Sequence, residues 1–121
     1  MKVVVTSSGE HLDSPVDPRF GRAAAFVMVD TASGEIAAVI DNRGGIEAAQ
    51  GAGIQAAEAV SRLGAECLVT GHCGPKAFRT LQAAGIAVYT GASGTVSDAL
   101  AELEAGILER AVSPDVAGHW A

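Results

Sequence analysis

The stretch "VTGHCGPKAF", Val69 to Phe78, sets a histidine beside a cysteine in a glycine turn just before a helix opened by Pro75. A thiol there feels the positive end of the helix dipole, which lowers its pKa and favours the metal-binding thiolate. His72 adds an imidazole that suits borderline metals. The plain alternative is a solvated turn histidine next to a small residue that merely fits. Neither residue belongs to a C-x-x-C or to a second pair at zinc spacing. Two further histidines, His11 in a long loop and His119 near the end, could each complete a coordination sphere or stay exposed. Arg19 and Arg22 flank "FG" and could hold an anion by charge-assisted hydrogen bonds, or pair with Asp13, Asp17 or Asp30. Cys67 sits mid-strand and reads as a buried small hydrophobe. Serines at 7, 8, 14 and 93 lack a G-x-S-x-G elbow and a neighbouring base, so nucleophilic catalysis has little support. "GAGIQAAE" is glycine-rich, but it is neither a Walker A loop nor G-x-G-x-x-G.

The elements that position these residues follow from hydrophobic period and punctuation. Strands are expected at Lys2–Thr6, Ala25–Thr31, Glu35–Asp41, Ala65–Thr70 and Ile86–Thr90, the second and third joined as a hairpin through Gly34. Helices are expected from Gly51 to Leu63, closed by Gly64, and from Pro75 to about Ala84, closed by Gly85. A last helix follows Thr95, an N-cap with Asp98 three residues on. Leu100 and Leu103 lie on its inner face, and Ile107 and Leu108 extend that apolar surface. The order is β-β-β-α-β-α-β-α. Right-handed crossovers make strands 1, 3, 4 and 5 run one way, with strand 2 reversed. The fold class is thus α/β, a five-stranded mixed sheet with helices on both faces.

Every strand-to-helix loop then reaches one edge of the sheet. That rim gathers Ser7–Gly9, His11–Arg22, Asp41–Gly53, Gly71–Gly74 and Gly91–Gly94. Ligands of open α/β sheets bind at the carboxyl ends of strands, and glycine loops leave backbone N–H groups approachable to anions.

Composition narrows the functions. The chain has 121 residues, 15 glycines and a formal charge of −6. This argues for one domain, expected over residues 1–112 with a loosely held tail at 113–121, and against a phosphate-backbone binder. No segment approaches the roughly 18 apolar residues of a membrane helix. "MKVVVTSSG" lacks a signal peptide's apolar region, so the two cysteines read as cytoplasmic thiols rather than a disulfide. The expectation is a soluble cytoplasmic protein without nucleic acid or membrane partners. Trp120, in the tail, could cover a patch on the body or a partner.

The element order is that of the ribonuclease H-like fold, but no carboxylate cluster for a two-metal nuclease is present, since "KVVVT" carries no acid. A more specific resemblance lies in four motifs. "SPVDPRFGRAAAFVMVD" (Ser14–Asp30), "GAGIQAAEAV" (Gly51–Val60), "TGHCGPKAF" (Thr70–Phe78) and "GIAVYTGASGTVSDAL" (Gly85–Leu100) together resemble the dinitrogenase iron–molybdenum cofactor biosynthesis family. That group includes NifX-like carriers and the C-terminal domain of many NifB proteins. The resemblance implies a ribonuclease H-like domain that binds or carries an iron–sulfur cluster or an iron–molybdenum-type cofactor precursor and catalyses nothing. Its binding face would comprise Ser14, Asp17, Arg19, Phe20, Gly21, Arg22, Asn42, Gly51, Gly53, Gly71 and Gly74. Cys73 is the first-choice metal ligand, with His72 and His11 after it. Other cluster-assembly proteins are implied partners. A homodimer could bring two Cys73 thiolates to one cluster, though no residue pattern here calls for a dimer. Two other readings remain: an enzyme or sensor of a phosphorylated or carboxylated metabolite at the same rim, and a partner-binding module using the tail.

Overall fold

The computed structural model describes residues 1–42 and 52–111. Among them lie β1 (Lys2–Ser7), β2 (Ala25–Asp30), β3 (Glu35–Asp41), α1 (Ala52–Arg62), β4 (Cys67–Val69), α2 (Pro75–Ala83), β5 (Ala87–Thr90), α3 (Val96–Glu104) and β6 (Glu109–Arg110). The sheet order is β3-β2-β1-β4-β5-β6. β1, β4 and β5 pair in parallel, and β2 runs antiparallel to both β1 and β3.

Period-two alternation divides the core in two. Val4, Phe26, Met28, Leu68 and Val88 face α1 and α2, where they meet Ala57, Val60, Phe78 and Leu81. Val3, Val5, Val27, Val29 and Val69 face α3 and meet Val96 and Ala99. Among the described residues, helices therefore cover both faces, two on one and one on the other. β1 and β2 are buried on both sides, which explains their nearly unbroken apolar runs. β3 is an edge strand with alternating partial exposure.

Three expectations need correction. The sheet has six strands rather than five, because Glu109–Arg110 pairs antiparallel with Tyr89–Thr90. Two charged, exposed residues carry no strand pattern, and backbone pairing alone makes them one. The last helix stops at Glu104, and Gly106 follows at φ +73°, a left-handed conformation that glycine adopts without strain. Ile107 consequently stands 70% exposed beyond the helix rather than on its inner face, while Leu108 packs half-buried against the α3 side. β4 is shorter than expected, three residues in place of six. Gly51, His119, Trp120 and the tail lie outside the described residues.

Thr95 caps α3 as its sequence requires: its side chain accepts from the Asp98 N–H at 3.1 Å, and Asp98 Oδ2 accepts from the Thr95 N–H at 3.0 Å. Cys67 is buried at the start of β4, its thiol 3.6 Å from Met1 Sδ. Burial, then the neighbouring Glu66 carboxylate, raise its pKa above the ordinary 9.0, with Arg110 and the N-terminal ammonium opposing. Folding here favours the neutral thiol. The stability it contributes is full below the ordinary value and is lost as pH rises through the raised one. Wild type should therefore lose more stability than Cys67→Ala between about pH 8 and about pH 10. Denaturant midpoints at both pH values check this, and parallel losses would refute it.

Candidate functional site

The long connection from β1 to β2 is not a loose loop, because its backbone is stitched to three elements. At the end of β1, Asp17 N–H donates to the Thr6 carbonyl at 3.0 Å, and the Thr6 hydroxyl donates to the Asp17 carbonyl at 2.7 Å. The Thr70 hydroxyl lies 2.9 Å from the same Thr6 oxygen, so two fully buried threonines join the ends of β1 and β4.

The second attachment is to α3. The Val96 and Ser97 N–H groups donate to the Ser14 and Leu12 carbonyls at 2.9 and 2.8 Å. With Thr95 capping Asp98, the first-turn donors of α3 are already satisfied by protein. The α3 N-terminus is therefore not an anion site, although the glycine stretch before it suggested one.

The third attachment joins the two most distinctive motifs. Arg19 and His72 form a parallel bridge, in which His72 N–H donates to the Pro18 carbonyl at 2.7 Å and Phe20 N–H donates to the His72 carbonyl at 3.3 Å. Gly71 makes this approach possible. A Cβ there would stand 2.7 Å from both the Cα and the carbonyl oxygen of Pro18. Arg19 and His72 are thereby neighbours across the bridge, and both are exposed. Beside them α2 opens at Gly74, which offers no side-chain cap, and Pro75 has no N–H to satisfy.

The other rim residues take structural places. Ser14 is buried, its hydroxyl accepting from His11 N–H at 3.1 Å. Asp17 Oδ1 accepts from Arg19 N–H at 3.0 Å and shapes the turn. Asn42 donates through Nδ2 to the Ala23 carbonyl at 2.9 Å and more weakly to that of Gly21, clamping the loop to the end of β3. Phe20 is 2% exposed and stacks on Phe26 with ring centroids 5.5 Å apart. Gly21 and Gly53 are buried, and Arg22 is half-exposed. His11 is exposed, on the stretch of the loop whose Leu12 and Ser14 carbonyls accept from the start of α3.

Cys73 is 1% exposed and belongs to the core cluster that contains Phe20, Phe26 and Phe78. Among the described residues, no three histidines, cysteines or carboxylates gather closely enough to hold a metal ion. The rim also carries a shallow concavity of about 130 Å³ lined by Ser8, Gly9, Glu10, Ala24, Ala25 and Asp41. Its two carboxylates suit an anion poorly, whereas the Arg19–His72 end of the rim carries a guanidinium and an imidazole. Sequence reasoning had not singled out Thr6, Thr70 and Pro18, which hold that end together. The glycine before His72 was the available signal.

The fold and this rim define a small mixed α/β domain whose glycine-rich edge is organised by two interlocked loops. Residues 1–106 match the model of the dinitrogenase iron–molybdenum cofactor family, and the chain belongs to that family. It is similar to the apo form of the orange protein from Desulfovibrio gigas, at 43% identity over 95% of this chain and 96% of that one, with a TM-score of 0.90. A presumptive NifB protein from Thermotoga is 35% identical over 95% and 98% of the two chains, with a TM-score of 0.79. An uncharacterised protein of Methanocaldococcus jannaschii is 28% identical over 99 residues, 78% of this chain and 81% of its own length.

Proposed function

We propose that this protein binds and hands on a preassembled metal–sulfur cargo, an iron–sulfur cluster or an iron–molybdenum-type cofactor precursor, and catalyses no reaction itself. The observation that carries the reading is the Arg19–His72 bridge, which sets two nitrogen-bearing side chains beside the uncapped start of α2. Metal–sulfide clusters are commonly anionic, and such an edge attracts anions. A carrier must also release its cargo, so a site without a four-cysteine cage suits the task. Membership of the family and the likeness to the Thermotoga protein support the cofactor-handling role.

Cys73 remains the first-choice protein ligand in this reading because it is the rim's thiol, and cargo binding would have to open the loop above it. The strand order β3-β2-β1-β4-β5 supports a ribonuclease H-like ancestry, with β6 an added edge strand. A cytoplasmic site of action fits two cysteines that form no disulfide. Among the described residues no helix is long and apolar enough to cross a membrane.

Anaerobic purification tests the proposal, with iron and sulfide supplied and then quantified on the wild type, Cys73→Ala and Cys67→Ala. The wild type should be coloured and hold both elements, and Cys73→Ala should retain less iron than Cys67→Ala. Equal loss from both, or none from either, removes Cys73 as a ligand. The burial of Cys73 favours one second reading, an anionic metabolite held at the same edge without a thiolate. A colourless wild type that takes up no iron and sulfide would turn the assignment to it.

A further inference from the structure

Among the described residues, two helices cover one face of the sheet and a single helix covers the other, with an apolar groove beside α3. Ser97, Leu100, Ala101 and Glu104 line one wall. These positions follow i, i+3, i+4 and i+7, so they form one stripe roughly 10 Å long on the helix. Val29 lies at the floor and Leu12 at the rim end, and the hairpin residues Thr31 and Gly34 close the far end. The volume is about 240 Å³. Leu12 and Leu100 are only half-buried, as are the nearby Ile36 and Val39, so apolar area remains available.

The charge around this groove is mainly acidic, although the N-terminal ammonium of Met1 stands 3.9 Å from Asp30 Oδ1 at the hairpin end. Asp13 stands next to Leu12, Asp30 and Glu35 bracket the hairpin, and Glu104 lines the groove itself. Neither Asp30–Glu35 nor Val96–Glu104 contains a lysine or arginine. An acidic wall disfavours a second copy of the same face, because like charges would meet across the contact.

We infer that the groove beside α3 docks a basic amphipathic helix of a protein partner. Apolar residues at i, i+3, i+4 and i+7 would fill the Leu12–Val29–Leu100 channel, and flanking lysines or arginines would meet the acidic margins. The surface is separate from the Arg19–His72 rim, and the inference does not depend on what the rim carries.

Fluorescence anisotropy with a labelled helical peptide of leucines at that spacing and lysines elsewhere tests this, against the same peptide with glutamates in place of the lysines. Ala101 is exposed and lines the wall, so Ala101→Arg blocks the groove and adds one positive charge. Gln82→Arg adds the same charge at an exposed position on α2. The lysine peptide should bind the wild type, weaken about tenfold or more with Ala101→Arg and be unaffected by Gln82→Arg. The glutamate peptide should bind at least about tenfold more weakly than the lysine one. Ser97→Arg, on the same stripe, replaces Ala101→Arg if circular dichroism shows that variant unfolded. Equal weakening by the groove and control substitutions would reduce the effect to bulk charge and overturn the inference, as would equal binding of the two peptides. A wild-type dimer in sedimentation, dissociated by Ala101→Arg, would assign the groove to a second copy and overturn it too.

Discussion

Gly71→Ala is expected to abolish cargo retention at temperatures where the protein is still folded. The new Cβ would meet the Cα and carbonyl oxygen of Pro18 at 2.7 Å and its Cβ at 2.9 Å. Two of those three atoms are backbone and cannot swing aside, so the loops must separate. Separation lengthens the 2.7 Å bond from His72 N–H to the Pro18 carbonyl and breaks the bridge that aligns Arg19 with His72. Overpacking of this kind costs about 1–3 kcal/mol. Gly34→Ala supplies the matched control: at φ +73° an alanine is strained by about 1–2 kcal/mol, yet nothing lies within 4 Å of the added atom. Both variants should melt several degrees lower, and only Gly71→Ala should lose bound metal. Retention of cargo by Gly71→Ala below its melting temperature would show that the interlocked loops are not the binding edge.

The fold was largely legible because its signals are local. Gly34, Gly64 and Gly85 stand at positive φ where the turns were expected, and Pro75 and Thr95 start helices by known chemistry. β6 was not legible, since Glu109 and Arg110 gain their strand identity only from Tyr89 and Thr90. The rim was legible as a place, because topology sends every strand-to-helix loop to one edge. Which rim residues face outward was not. Asn42, Ser14 and Asp17 look like ligand residues in sequence, yet each spends a polar atom on a neighbouring backbone group. A short polar side chain in a glycine-rich loop serves equally as ligand or as clamp, and only three-dimensional closure decides. The same holds for Cys73. Its place one residue before Gly74 suggested an accessible thiolate, whereas the turn directs it into the cluster shared with Phe20.

Phe20 gives the other large effect and separates two roles for the "RFGR" motif. Its ring is 2% exposed and stacks on Phe26, which is fully buried beneath the sheet-facing helices. Phe20 thus pins the Asp17–Arg22 loop to the core while Arg19 and Arg22 on either side stay at the surface. Phe20→Ala removes that pin and should cost about 3–5 kcal/mol, a large share of the roughly 5–15 kcal/mol that stabilises a typical domain. Its melting temperature should fall sharply, and cargo should be lost with the loop. Phe20→Leu keeps an apolar anchor without the ring, costs less and should still hold cargo, because an anchor needs volume rather than aromaticity. Iron and sulfide content measured beside thermal melts decides between the roles. If Phe20→Leu melts near the wild type yet has lost its metal, the ring itself meets the cargo, and the loop must open on binding to expose it.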